Sequence, residues 1–134
     1  MAGANEAVRT LVHRPAVDVL PETTLRGVAE VLNEEVIGLA IVRAPHPQGS
    51  GTRAAGLVSE RDIVAALADG SDPDRTRAED VMTGDLASAR PDESIRDAAM
   101  RMIENDVRHL PVLDGDDVVG LISLRDVVQA LLES

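Results

Sequence analysis

The 134-residue sequence contains no cysteine. This excludes disulfides, thiolate nucleophiles and thiolate metal sites. It contains no Phe, Tyr or Trp, so no base can stack on an aromatic platform, the usual way of holding single-stranded nucleic acid. Lysine is missing as well. All 13 basic residues are arginines, set against 24 acidic ones, for a net charge of −11. A field of that sign repels duplex phosphate and anionic lipid. No apolar run approaches the roughly 20 residues of a membrane span, and the N-terminus has no charged-then-apolar leader. These absences argue against nucleic-acid and membrane partners and place the chain in the cytoplasm. What remains is 44% hydrophobic, enough for a core made of Val, Leu, Ile, Ala and Met.

The sequence repeats itself. GLVSERDIVAAL (56–67) returns as GLISLRDVVQAL (120–131), with eight of twelve positions identical. At an offset of 70, VRTLVHRPAVDVLPETTLRGVA (8–29) falls on AEDVMTGDLASARPDESIRDAA (78–99), and LAIV (39–42) falls on HLPV (109–112). The offset then drops to 64, because RAPHPQGSGTRA (43–54) holds six extra residues. That Pro/Gly/Ser-rich stretch reads as a mobile loop. The second copy closes the same gap with DGDD (114–117), suited to a tight hairpin. The boundaries read as 1–70 for the first unit, with a core at about 8–68, then a polar linker at 71–79 and a second unit at 80–134.

Each copy has the same order. AVDVL (16–20) and LASAR (86–90) read as short strands before a proline. Thr24 and Ser94 are positioned to cap helices. Leu25, Val28, Ala29 and Leu32, like Ile95, Ala98, Ala99 and Met102, give each helix one apolar face. A strand-hairpin-strand follows, then closing helices at about 60–68 and 124–132. The fold class is therefore α+β (α/β-type), with two tandem β-α-β-β-α units packed as a pseudo-twofold pair. One unit alone is too small for a good core.

SERD (59–62) and SLRD (123–126) allow two readings. Ser at an N-cap with Asp three residues on is a capping arrangement. The same helix terminus, with its N–H groups and positive dipole, also attracts phosphate, and a nearby Asp can accept from ribose hydroxyls. Enzyme readings find no support. No Cys or Lys nucleophile exists, His13, His46 and His109 lack metal-ligand spacing, and no glycine-rich phosphate loop is present.

The twofold β-α-β-β-α, the Gly-apolar-apolar-Ser-x-x-Asp closing each hairpin, DVMT (80–83) and VRHLPV (107–112) together resemble a stand-alone CBS (cystathionine-β-synthase-type) domain pair, over about 8–132. The resemblance implies a regulatory, non-enzymatic module that needs no cofactor. It would bind AMP, ADP or ATP, or else S-adenosylmethionine or NAD, in the cleft between the two copies and signal to an unknown regulated protein. It also implies a homodimer formed through helices. The implied site combines Ser59 and Asp62 with Thr83, Arg108 and His109, the basic pair reaching phosphates. Base contacts come from Val58, Leu86 and Pro111. A second possible site has His13, Ala16, Ile122, Ser123 and Asp126 and lacks the basic pair, since the first copy carries Gly38 and Leu39 there. The alternative is a structural or protein-interaction module with vestigial clefts.

Overall fold

The structure is a computed structural model that describes residues 3–12, 16–84 and 87–133. It divides into two compact units, one of residues 17–86 and the other of 1–16 with 87–134. These units do not follow the repeat boundaries at 1–70 and 80–134. The segment that leads each copy is built into the unit of the other copy.

The unit 17–86 contains β1 (Asp18–Val19), α1 (Leu25–Glu35), β2 (Leu39–Pro45), β3 (Thr52–Ser59), α2 (Glu60–Ala68) and α3 (Ala78–Val81). The strand order is β1-β2-β3, with β1 parallel and β3 antiparallel to β2. Thr24 caps α1 by accepting from the Gly27 N–H at 3.1 Å. Leu25, Val28 and Leu32, spaced for one helical face, are buried with Val42, Val58, Ile63 and Ala78. Burying side chains of this size stabilises by about 1.5–3 kcal/mol each for Val, Leu and Ile. Ala78, fully buried, arrives on α3, whose backbone is tied to the turn before α1: the Ala78 N–H donates to the Thr23 carbonyl and the Glu79 N–H to the Pro21 carbonyl.

The other unit opens with a 3-10 turn (Val8–Leu11), then has α4 (Ile95–Asn105), β4 (His109–Asp114), β5 (Asp117–Ser123) and α5 (Leu124–Leu132). β4 and β5 form an antiparallel hairpin. Val8 and Leu11 are buried among Ile95, Met102, Leu110, Ile122 and Val127. The tie repeats the one at α3. The Val8 N–H donates to the Glu93 carbonyl and the Arg9 N–H to the Pro91 carbonyl. In the described part of 86–90 the expected strand contracts to one bridge, Ala89 with Val112.

The segment 43–54 is not a loop over its whole length. β2 continues to Pro45 and β3 starts at Thr52, pairing Arg43 with Ala54, Ala44 with Arg53 and Pro45 with Thr52. Only the tip turns, with Gly51 at φ 86°. β1 pairs only with Ile41 and Val42, so past them β2 has an open edge, where proline costs no ladder bond. Arg43 fastens the extension to Asp18 and Thr52. Both copies break register at the same place, between Val42 and Arg43 and between Val112 and Leu113.

Two positions carry measurable strain or tightness. Val36 ends α1 in the left-handed region at φ 53°, and Asp106 ends α4 at the same φ. Asp tolerates this conformation and a β-branched residue does not. Val36 is 82% exposed, so it has little packing to lose. Val36→Asn should therefore stabilise the protein by about 1 kcal/mol, read as a higher melting temperature by circular dichroism. Gly56 is the converse case. A Cβ there would lie 2.7 Å from Met82 Sδ and 2.8 Å from the Thr83 carbonyl oxygen. That carbonyl is held by the Leu57 N–H at 3.1 Å and cannot retreat without breaking the bridge. Gly56→Ala should cost about 1–3 kcal/mol, the range for overpacking, in the same melt.

Candidate functional site

Both hairpins pass into their closing helix without a linker. Ser59 ends β3 and caps α2; Ser123 ends β5 and caps α5. In the first, Ser59 Oγ accepts from the Asp62 N–H at 3.1 Å and Asp62 Oδ2 accepts from the Ser59 N–H at 2.8 Å. In the second, Ser123 Oγ accepts from the Asp126 N–H at 3.0 Å and Asp126 Oδ2 accepts from the Ser123 N–H at 3.1 Å. Each is a complete capping box, which by itself accounts for about 1 kcal/mol of stability. The boxes do not exhaust the groups that form them. A serine hydroxyl that accepts still has its hydrogen to donate, and a carboxylate bonded through one oxygen still has the other. Ser59, Asp62, Ser123 and Asp126 are all partly exposed. Each junction thus offers a donor, an anionic acceptor and a positive helix terminus within one turn.

The strand opposite each cap is tied to it. The Glu60 N–H donates to the Gly38 carbonyl at 2.9 Å, and the Leu124 N–H donates to the Arg108 carbonyl at 2.7 Å. One residue on, Leu39 pairs across the ladder with Ser59, and His109 pairs with Ser123. The backbone is the same in both units and the side chains are not. Leu39 is buried; Arg108 and His109 are exposed. Arg108 and His109 therefore stand in the same unit as Ser123 and Asp126, directly across the hairpin from that cap. The Ser59 and Asp62 cap has Gly38 and Leu39 in the matching places.

The remaining expected site residues fall as follows. Thr83 is exposed and bridges Leu57, two residues before Ser59. Val58 and Ile122 are fully buried in the two cores, and Pro111 is buried, its carbonyl accepting from the Ala89 N–H at 3.0 Å. These three act first as core. Ala16 is half-buried. His13 and Leu86 lie outside the described residues. His46 sits in the hairpin turn, where its Nδ1 accepts from the Gln48 N–H at 3.3 Å. Among the described residues no group of three His, Asp or Glu side chains is placed to hold a metal ion, and no helix is long and apolar enough to cross a membrane. Sequence reasoning missed the carbonyl ties from positions 38 and 108, because backbone acceptors carry no residue-type signal.

With this geometry, the comparisons with known proteins agree on one class. The CBS domain matches the chain twice, over residues 8–69 and 78–133. The chain belongs to the CBS domain family, and its fold is that of a CBS domain pair. It is 34% identical over 116 residues to an uncharacterised 17.7 kDa protein of Acidianus ambivalens, covering 86% of this chain and 66% of that protein. It is 30% identical over 132 residues to an uncharacterised protein of Methanocaldococcus jannaschii, covering 98% of this chain and 45% of that one. The chain therefore spans from under half to about two-thirds of these relatives. Among solved structures, a CBS domain protein from Pyrobaculum aerophilum complexed with AMP superposes with a TM-score of 0.81 at 27% identity, over 96% of this chain and 99% of that one. The CBS domain pair of a second protein, solved with 5′-methylthioadenosine and S-adenosyl-L-methionine, matches in fold with a TM-score of 0.76 at 22% identity, over 92% of this chain and 93% of that one.

His109 carries a pH signature. Loss of water around its ring holds its pKa below the ordinary 6.5, Arg108 adds to the effect, and Asp126 opposes it. The folded state then binds fewer protons than the unfolded state in the interval just below 6.5. The stability associated with neutral His109 is complete above about pH 6.5 and is lost as pH falls through the lower folded value. Melting curves from pH 7.5 to 5.5 should show this loss, and His109→Gln should remove that part of the slope.

Proposed function

We propose that this CBS pair is a non-enzymatic sensor that binds an adenosine-containing metabolite, AMP, ADP or ATP, and conveys occupancy to a regulated protein partner. The observation that carries the reading is the second junction. There Ser123 and Asp126 supply a hydroxyl and a carboxylate at a helix N-terminus, and across the same hairpin Arg108 brings positive charge and His109 an imidazole that its lowered pKa keeps neutral at pH 7. That set matches a ribose, read by carboxylate and hydroxyl, joined to a phosphate, read by Arg108, an imidazole N–H of His109 and the helix dipole. The P. aerophilum protein, similar in fold and 27% identical, was solved with AMP, which supports the ligand class. The first junction, with Ser59, Asp62 and Thr83, is a second place for the same chemistry, weaker for phosphate because Gly38 and Leu39 add no charge. The reading includes self-association of the chain as a homodimer and a cytoplasmic setting. The alternative is an interaction module that binds no small molecule, since capping alone already explains both Ser-x-x-Asp boxes.

Thermal unfolding with a nucleotide panel separates the two. The absence of Trp and Tyr requires calorimetry or circular dichroism. A ligand at 100 times its dissociation constant should contribute about 2.7 kcal/mol. No shift with AMP, ADP or ATP at millimolar concentration sinks the sensor reading. In titration calorimetry, Asp126→Ala and Arg108→Ala should each weaken binding by about 1.5–3 kcal/mol, the range for a hydrogen bond to a charged group. Asp62→Ala should weaken it much less. The reverse order would assign the basic pair to the Asp62 cap.

A further inference from the structure

The two junctions share a backbone and differ in one titratable group. Ser59 has Leu39 across the ladder, and Ser123 has His109. Histidine is the side chain that ordinarily changes charge near neutral pH. His109 is open to solvent, where a ligand can reach it, yet its ring has lost enough water to favour the neutral form. The charges that act on the ring are few. On β4, Arg108 stands next in sequence and disfavours a second cation. On α5, Asp126 favours one, and Arg125 beside it is exposed. β5 carries only Asp117, at the far end of the hairpin from Ser123. At the end of α4, Glu104 and Asp106 are exposed. Around the imidazole, then, the cation of Arg108 stands against the carboxylate of Asp126, and the ring itself is neutral.

A phosphate upsets that balance. A phosphate monoester carries about 1.5 to 2 negative charges at pH 7. Arg108 is already opposed by Asp126, and a chain of net charge −11 holds no surplus of cations to offset the rest. We infer that phosphate binding at the Ser123 junction is coupled to proton uptake by His109, so that this site holds a nucleotide more tightly as pH falls below neutrality. This rests on the nucleotide reading above and adds its regulation. The sign follows from the charges. The proton cancels part of the excess negative charge and converts an imidazole with one N–H donor into an imidazolium with two. An opposite charge at close range shifts a pKa by about 1–3 units towards the charged form, and each unit is tenfold in linked affinity. The Ser59 junction has Leu39 in the matching place and lacks the responding group.

Titration calorimetry with AMP, from about pH 8 to about pH 5.5, tests the coupling. At each pH two buffers of unlike ionisation enthalpy report the protons taken up on binding. The phosphate of AMP itself titrates near pH 6, but it does so against every form of the protein, so the reading is the difference between the unmodified chain and His109→Gln. The unmodified chain should take up more protons. Over the same range its AMP affinity should gain several-fold relative to that of the variant. Adenosine, which has no phosphate, should show neither difference. In the unmodified protein the His109 ring, followed by NMR, should titrate at a higher pH with AMP bound than without. Equal proton uptake in the two proteins, an unmoved His109 midpoint, or the same difference with adenosine as with AMP would overturn the coupling and leave the nucleotide reading intact. No binding of AMP to the unmodified chain at any pH would overturn both.

Discussion

The fold depends on the junction where a hairpin strand becomes a helix with no residue between them. Ser59 is at once the last residue of β3 and the cap of α2, and Ser123 does the same for β5 and α5. A strand residue has the extended backbone that an N-cap requires, so the two roles are compatible in one residue. The reciprocal bonds with Asp62 and Asp126 then fix the angle at which each helix leaves its sheet. The carbonyls of Gly38 and Arg108 accept the next N–H of each helix, so the neighbouring strand is locked to the same point. Three segments meet there. The groups that hold them are also the ones the proposed function assigns to a ribose and a phosphate, so stability and candidate chemistry reside in the same few atoms.

From that junction the rest of each unit is assembled by hydrogen bonds between distant parts of the chain. The first N–H groups of α1, at Leu25 and Arg26, donate to the carbonyls of Thr76 and Pro73. Those of α4, at Ile95 and Arg96, donate to the carbonyls of Glu6 and Ala4. A helix start leaves such donors without intrahelical partners. Here the leading segment of the other copy supplies the acceptors. Arg26 adds a side-chain pair with Asp74 in the same segment. Because the chain lacks aromatic residues, each core is built from small aliphatic pieces, and these borrowed segments bring in Val8, Leu11 and Ala78 to complete them.

Much of this was legible in the sequence. The closing helices at 60–68 and 124–132 were marked by Ser-x-x-Asp after a glycine-led apolar run, and the caps at Thr24 and Ser94 by their place before a 3.6-residue pattern. The repeat gave the order of elements and the family. Three things were not legible, each for a physical reason. The hairpin extension through Pro45 was hidden because proline and glycine mark a turn without showing where its strands stop. The exchange of leading segments was hidden because periodicity reports which face is buried, not which core receives it. The contraction of the strand expected at 86–90 to one bridge at Ala89 was hidden because weak alternation marks a strand without fixing how many of its residues pair. At the candidate site, residue types identified both capping boxes. The ladder register, which sets His109 across from Ser123, required the backbone.

The two copies share a backbone and have diverged in what they mount on it, and the divergence is not scattered. It is concentrated at positions that do not bear on the core. The buried residues correspond: Leu25 with Ile95, Val28 with Ala98, Leu32 with Met102, Ile63 with Val127. The exposed ones change character: Gly38 to Arg108, Glu30 to Met100, Asn33 to Ile103. Leu39 to His109 crosses between the classes, a buried leucine in one unit and an exposed imidazole in the other. A core position is held by packing, where a change of one methylene is felt. A surface position answers only to solvent and to whatever binds there. Two copies that needed only to fold would have drifted at those positions without direction. Here the second copy sets Met100, Ile103, Arg108 and His109 where the first has Glu30, Asn33, Gly38 and Leu39, while exposed arginines stand in both, Arg26 and Arg61 matching Arg96 and Arg125. That division of surface chemistry on a duplicated backbone is what allows one chain to present two different faces from a single repeated design.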